Sequence, residues 1–291
     1  MSSLRSIKER IANVTSVEQL IRAMYMVSST KLQKARAQLE GLVPMQEGLQ
    51  KIIDDLASRE ESRSIEVFKK REVRNSLYMI FTSDRGLSGG YNSNINKFVL
   101  EHLKDVENEK LLIVGSIGNE FFRRNGKNII RAVVDVADAQ IYYASQSLAE
   151  WATDLYLAGE VDEICVGYTV FKNVLSYEPV IKKVLPISNG AEDDDDYYYD
   201  NYLDEKIYEP DLKTYIEELI PLYLHMYIFR AFSEAHTSEQ AARMVSMDAA
   251  GKNADEIMED LTHSYNRQRQ AEITQELNEI VGSRTIMTKE K

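Results

Sequence analysis

The chain has 291 residues, 44% of them hydrophobic, a formal net charge of −12 and one cysteine. That hydrophobic content supports a sizeable core and excludes wholesale disorder. A lone thiol, Cys165 in EICVGY, excludes an internal disulfide framework and fits a reducing compartment.

The acidity argues against a general nucleic-acid binder. It is concentrated in residues 186–218, which hold 12 acids and 2 bases, whereas residues 1–36 hold 7 bases and 2 acids. No stretch approaches the roughly 18–20 consecutive apolar residues of a membrane span. The N-terminal MSSLRSIKERIANV has neither an apolar signal core nor a small-residue cleavage site. The expected location is the cytoplasm or the cytoplasmic face of a membrane.

The first element is a long helix over residues 1–58, with Ser3 as its N-cap. Its a/d positions run Leu4, Ile7, Ile11, Val14, Glu18, Ile21, Tyr25, Ser28, Leu32, Ala35, Leu39, Leu42, Gln46, Leu49, Ile53 and Leu56. Only Glu18, Ser28 and Gln46 interrupt the apolar pattern, so the spacing predicts a coiled-coil seam. Pro44 predicts a kink or break.

The region 73–190 alternates short β-rich runs, SLYMIF (76–81), KLLIVGS (110–116), DEICVGYTVF (162–171) and PVIKKVLPI (179–187), with helical stretches. That grammar predicts an open α/β sheet with crossovers. After SLYMIF comes TSDRGLSGGYNSNI (82–95), glycine- and serine-rich like a phosphate loop. It lacks both GxxxxGK[ST] and GxGxxG, so it reads as a strand-to-helix turn. Residues 191–208, with the acidic tract at 192–200, read as an exposed connection.

The last element, 209–286, predicts a second long helix. Met247, Ala250, Ala254, Ile257 and Leu261 form its stripe, which Ile273, Leu277 and Ile280 resume. Helical from Leu222 to Arg284, it would be on the order of 95 Å long, too long for burial in one compact domain. The fold class is therefore α/β: a long antiparallel coiled coil of N- and C-terminal helices with an inserted Rossmann-like open sheet domain. The four histidines are isolated, without metal spacing, and the aspartate run lacks the pattern of a calcium loop. No catalytic, cofactor-binding or metal residues are expected.

Four stretches now carry a family resemblance: SEQAARMVSMDAAGKNADEIMEDLTHSYNRQRQAEITQELNEIVGS (238–283), AMYMVSSTKLQKAR (23–36), TSDRGLSGGYNSNI and YEPD (208–211). Together the chain resembles the gamma subunits of bacterial-type rotary F-type ATP synthases. It departs from them with Ser88 in place of a frequent cysteine, with Gly251, and with Glu18 and Tyr25 in place of polar or basic residues.

The resemblance implies a non-enzymatic central rotor shaft, one copy per complex. Such a shaft couples ion-driven rotation of a membrane c-ring to conformational change at beta-subunit catalytic sites, and regulates ATPase activity and ion flow. It implies alpha, beta and epsilon subunits and the c-ring as partners, no nucleic acid, and a peripheral position on the cytoplasmic side of the cell membrane. Arg269, Gln270 and Met24 are the implied contacts to the alpha/beta ring. Asp84 and Arg85 are the expected contacts of the foot. Met24, Met26, Met244 and Met247 offer small, adaptable packing, or are simply seam residues. Lys8, Arg10, Lys31 and Lys34 read equally as ring contacts or as solvated surface. Two rival readings are a free coiled-coil adaptor and a nucleotide-binding enzyme using the Thr82–Ile95 loop.

Overall fold

The computed structural model describes residues 4–69, 71–106, 108–187, 208–209 and 211–289. The elements run α1 (Leu4–Ser58), β1 (Ser76–Phe81), α2 (Tyr91–His102), β2 (Glu109–Val114), α3 (Ser116–Arg124), β3 (Ile129–Val133), α4 (Ile141–Leu157), β4 (Glu163–Asn173), β5 (Ser176–Leu185) and α5 (Leu212–Lys289). The expected cap Ser3 and the acidic tract 192–200 lie outside the described residues. Contacts divide the chain into two units. The first is Met1–Ser28 with Met244–Lys291, and the second is Ser29–Arg243.

In the second unit the strand order is β3-β2-β1-β4-β5. The first four strands are parallel, and β5 returns antiparallel to β4 through a hairpin. Helices cover both faces, which is why β1 reads as an unbroken apolar run. Strand periodicity then sorts its side chains. Leu77, Met79 and Phe81 join a core with α4, the end of α1 and the first part of α5. Tyr78 and Ile80 join a smaller core with Ile95 and Val99 of α2 and Phe122 of α3. Ile53 and Leu56 of α1 are fully buried, each contributing about 1.5–3 kcal/mol of apolar burial.

Two elements were absent from the sequence reading. β3, IIRAV, is short and carries Arg131, whose guanidinium lies 4.9 Å from the Trp151 ring centroid. α3 has only nine residues, and although its buried Gly118 and Phe122 stand four apart on one face, about two and a half turns are too short to stand out in the sequence. Neither long helix is broken at a proline. α1 continues through Pro44, and α5 begins at Leu212 and passes through Pro221.

The seam of α1 is real in burial terms. Of its sixteen a/d residues, fifteen are buried or half-buried, and Tyr25, at 38% exposed, is the exception. Each polar interruption is accommodated. Glu18 pairs with Arg22, Ser28 is 2% exposed, and the Gln46 carbonyl oxygen accepts from Arg230.

Within the first unit the two helical segments run antiparallel. Ile21 faces Gly251, Arg22 reaches Asp255 at 3.4 Å, and the Thr15 hydroxyl oxygen lies 3.9 Å from the Met258 sulfur. A Cβ at Gly251 would meet only the Ile21 Cγ2, at 3.8 Å, so packing does not require glycine there. Met247 and Ala254 of the α5 stripe are buried, while Ile257, Ile273, Leu277 and Ile280 are exposed.

Candidate functional site

In a parallel sheet of order 3-2-1-4, ligands gather where the order reverses, at the carboxyl ends of β1 and β4. The Thr82–Gly90 loop lies there. Its own side chains first fix its shape. Asn92 accepts the Ser83 N–H at 3.0 Å and donates to the Ser83 hydroxyl at 2.7 Å. It also reaches the hydroxyl of Ser88, which is buried. The Asp84 carboxylate accepts the Ser116 N–H at 2.8 Å and the Asp135 N–H at 2.9 Å, fastening the β1, β2 and β3 exits together.

The tightest glycines are not in this loop. A Cβ on Gly115 (φ +100°) would lie 2.6 Å from the Thr82 carbonyl oxygen, and one on Gly118 would lie 2.5 Å from the Thr82 Oγ1. These glycines let the β2–α3 turn close onto Thr82, whose hydroxyl donates to Val114 O at 2.8 Å and accepts the Gly118 N–H at 3.1 Å. In the loop itself, Leu87 takes a left-handed φ of 62° and stands 62% exposed, a conformation costing about 1–2 kcal/mol for a non-glycine residue.

The crevice beside the loop is occupied by protein. The Tyr91 hydroxyl donates to Ala235 O at 3.0 Å, and the Ser238 hydroxyl donates to Thr169 O at 3.1 Å. Arg243 donates to Arg85 O at 3.2 Å and to Gly86 O at 3.4 Å, and pairs with Glu239 at 2.6 Å. Residues 235–243 of α5 thus sit where a nucleotide would.

A line of charge continues from this joint. His236 lies 3.8 Å from Glu239 and 3.6 Å from Asp138, and Asp138 pairs with Lys31 at 2.9 Å. Burial holds the His236 pKa below its ordinary value, although Glu239 and Asp138 oppose it. The Asp138 carboxyl also sits low: burial raises it, but the Lys31 hydrogen bond and the His236 charge outweigh that. Cys165 is buried, and its thiol is pushed up to about 12, chiefly by burial and then by the Glu163 charge. Among the described residues, no three His, Cys, Asp or Glu side chains converge to hold a metal ion.

The expected contact residues fall in both units. Arg269 and Gln270 are exposed on α5, and Met24 is half-buried on α1, all in the first unit. Asp84 and Arg85 belong to the second unit. The Asp84 carboxylate is spent on backbone amides, while the Arg85 side chain is exposed. Lys31 is engaged with Asp138, whereas Lys8, Arg10 and Lys34 are exposed. Sequence reasoning missed Arg243 and Glu239. Their signal was an opposite-charge pair four residues apart among small and apolar neighbours, the spacing of one helix face.

Comparison with known proteins decides the family. Residues 3–285 match the family model described as ATP synthase. An ATP synthase gamma chain of Desulforamulus reducens is 36% identical, covering 97% of this chain and 98% of that one. One from Ruminiclostridium cellulolyticum is 37% identical, covering 98% and 99%.

The chain belongs to the ATP synthase gamma chain family.

The fold agrees. A chain in a Euglena gracilis mitochondrial ATP synthase structure containing OSCP, F1 and the c-ring superposes with a TM-score of 0.66 at 18% identity, covering 98% of this chain and 94% of that one. Gamma chains are subunits of the complex and not its catalytic part. That removes the enzyme reading of the Thr82–Ile95 loop, and it replaces the free-adaptor reading with membership of an assembly.

Proposed function

We propose that this chain is the rotating shaft of an ATP synthase, one copy per complex. Alpha and beta subunits surround it, and the epsilon subunit and a membrane c-ring meet its α/β foot. Ion flow through the c-ring turns the shaft. The turning shaft presents a different face to each beta subunit, shifting the populations of the nucleotide sites through differential contacts. The same contacts regulate ATPase activity and ion flow. The chain takes no nucleic acid and works as a peripheral protein on the cytoplasmic side of the cell membrane. No helix among the described residues is long and apolar enough to cross a membrane, so its attachment runs through partners.

The observation that carries this reading is the stripe on α5. Ile273, Leu277 and Ile280 are 48%, 57% and 63% exposed at spacings of four and three residues, which puts them on one helix face, and a repeated apolar face of this kind marks a protein–protein surface. We assign the ring contacts to Arg269, Gln270 and Met24. Arg269 offers a planar donor fork suited to carboxylates. For the foot we favour Arg85 over Asp84, since the Asp84 carboxylate is already engaged. Residues 1–58, 73–190, 191–208 and 209–286 are then shaft helix, foot, connection and shaft helix.

The test is purification of the tagged chain from membranes. Alpha and beta subunits are expected to come with it, and their absence would overturn the rotor. Arg269→Ala is expected to lower coupled ATP synthesis while assembly stays intact. Unchanged synthesis removes Arg269 from the contact set.

A further inference from the structure

A cavity in the second unit lies away from the β1–α2 loop. It offers about 320 Å³, partly open to solvent, between the segment following α1, the end of α4 and the first turns of α5. That volume suits a small ligand with one ring or a short chain. Val67, Leu157, Ile216 and Ile220 supply its apolar walls.

Its polar groups are mostly acceptors. The Thr153 hydroxyl donates to Ala149 O at 2.8 Å, so its oxygen has only lone pairs left to offer. Pro221 has no N–H, so the Glu217 carbonyl, one turn earlier in α5, lacks its regular helical donor. Glu217 and Pro221 both line the cavity. The charged lining is two carboxylates, Glu66 and Glu217, against one ammonium, Lys213. Glu66 is held by Lys69 at 2.6 Å and Arg71 at 2.9 Å. Lys213 is 72% exposed and only 3.7 Å from Glu217, a loose pair that leaves the Glu217 carboxylate open to competition.

We propose that this cavity binds a small amphipathic ammonium. Its apolar body packs against Val67, Leu157, Ile216 and Ile220. Its N–H groups donate to the Glu217 carboxylate and to the backbone carbonyl that Pro221 deprives of a donor. The proposal is independent of the rotor reading.

The probe is phenethylammonium, titrated into the full-length chain by calorimetry beside phenethyl alcohol and hydrocinnamate, which keep a similar body and change the head. Saturable binding is expected for the ammonium, weaker binding for the alcohol and weakest for the carboxylate. Glu217→Gln is expected to weaken the ammonium by about tenfold. Leu157→Trp, at a position 60% exposed and so tolerant of substitution, is expected to obstruct the cavity and abolish binding. Three results overturn the proposal: no saturable binding of the ammonium, a carboxylate that binds as tightly, or binding that survives Leu157→Trp.

Discussion

Replacing Arg243 with methionine isolates the forces at the joint between α5 and the β1–α2 loop. The Arg243 side chain is 9% exposed and its partner Glu239 is 14% exposed. Removing one member of a nearly buried pair leaves the other charge uncompensated, which costs about 3–5 kcal/mol. The lost bonds to Arg85 O and Gly86 O are long, at 3.2 and 3.4 Å, so each adds about 0.5 kcal/mol. Methionine returns about 1 kcal/mol of apolar burial. The expected net loss is about 3–5 kcal/mol, roughly two to four orders of magnitude in the folding equilibrium. The double variant Glu239→Gln with Arg243→Met abolishes both charges and is expected to lose only about 1 kcal/mol. Urea unfolding of the full-length chain reads this through Trp151, its single tryptophan, which lies in the same unit. A double variant no more stable than the single one would refute the argument, because the cost would then come from the loop bonds and not from a stranded carboxylate.

Two further outcomes follow from neighbouring contacts. His236 has its native pKa below its ordinary value of 6.5, through burial first, with Lys31 and Arg243 adding to the shift and Glu239 and Asp138 opposing it. The unfolded chain then binds the proton more readily than the native one. The stabilisation is present above pH 6.5 and lost as pH falls from there toward the native value. His236→Gln is expected to flatten that part of the pH–stability curve, and an unchanged curve counts against it. Gly118→Ala places a Cβ 2.5 Å from Thr82 Oγ1 and 2.7 Å from its Cγ2. Overpacking of about 1–3 kcal/mol is expected to exceed the gain of about 1 kcal/mol in helix propensity. Thr82→Ala in the same chain is expected to restore the melting temperature, and a fully tolerated single change would contradict the close approach.

Much of the fold was written in local patterns. The α1 seam survives its polar members because each meets a partner: Arg22 for Glu18, and Arg230 for Gln46. β1 was legible to the residue, since a strand buried on both faces must be apolar throughout. β3 was not, because Arg131 breaks the pattern and its shelter, Trp151, lies twenty residues away. The loop after β1 was correctly read as a turn. Its occupant was invisible because Arg243 and Ser238 arrive from more than 140 residues downstream. Likewise the period of Ile273, Leu277 and Ile280 can be read directly, but a period does not say whether a partner or the chain's own core covers the stripe.

The buried thiol has a practical consequence. Cys165 is 5% exposed and resists ionisation, so it presents almost no nucleophile at neutral pH. For maleimide-type reagents the native chain therefore behaves as cysteine-free. A single cysteine placed at an exposed position, such as Leu175 at the tip of the β4–β5 hairpin, becomes the one reactive handle. A fluorophore, bead or cross-linker can then be attached at a chosen point without stripping any natural cysteine from the core.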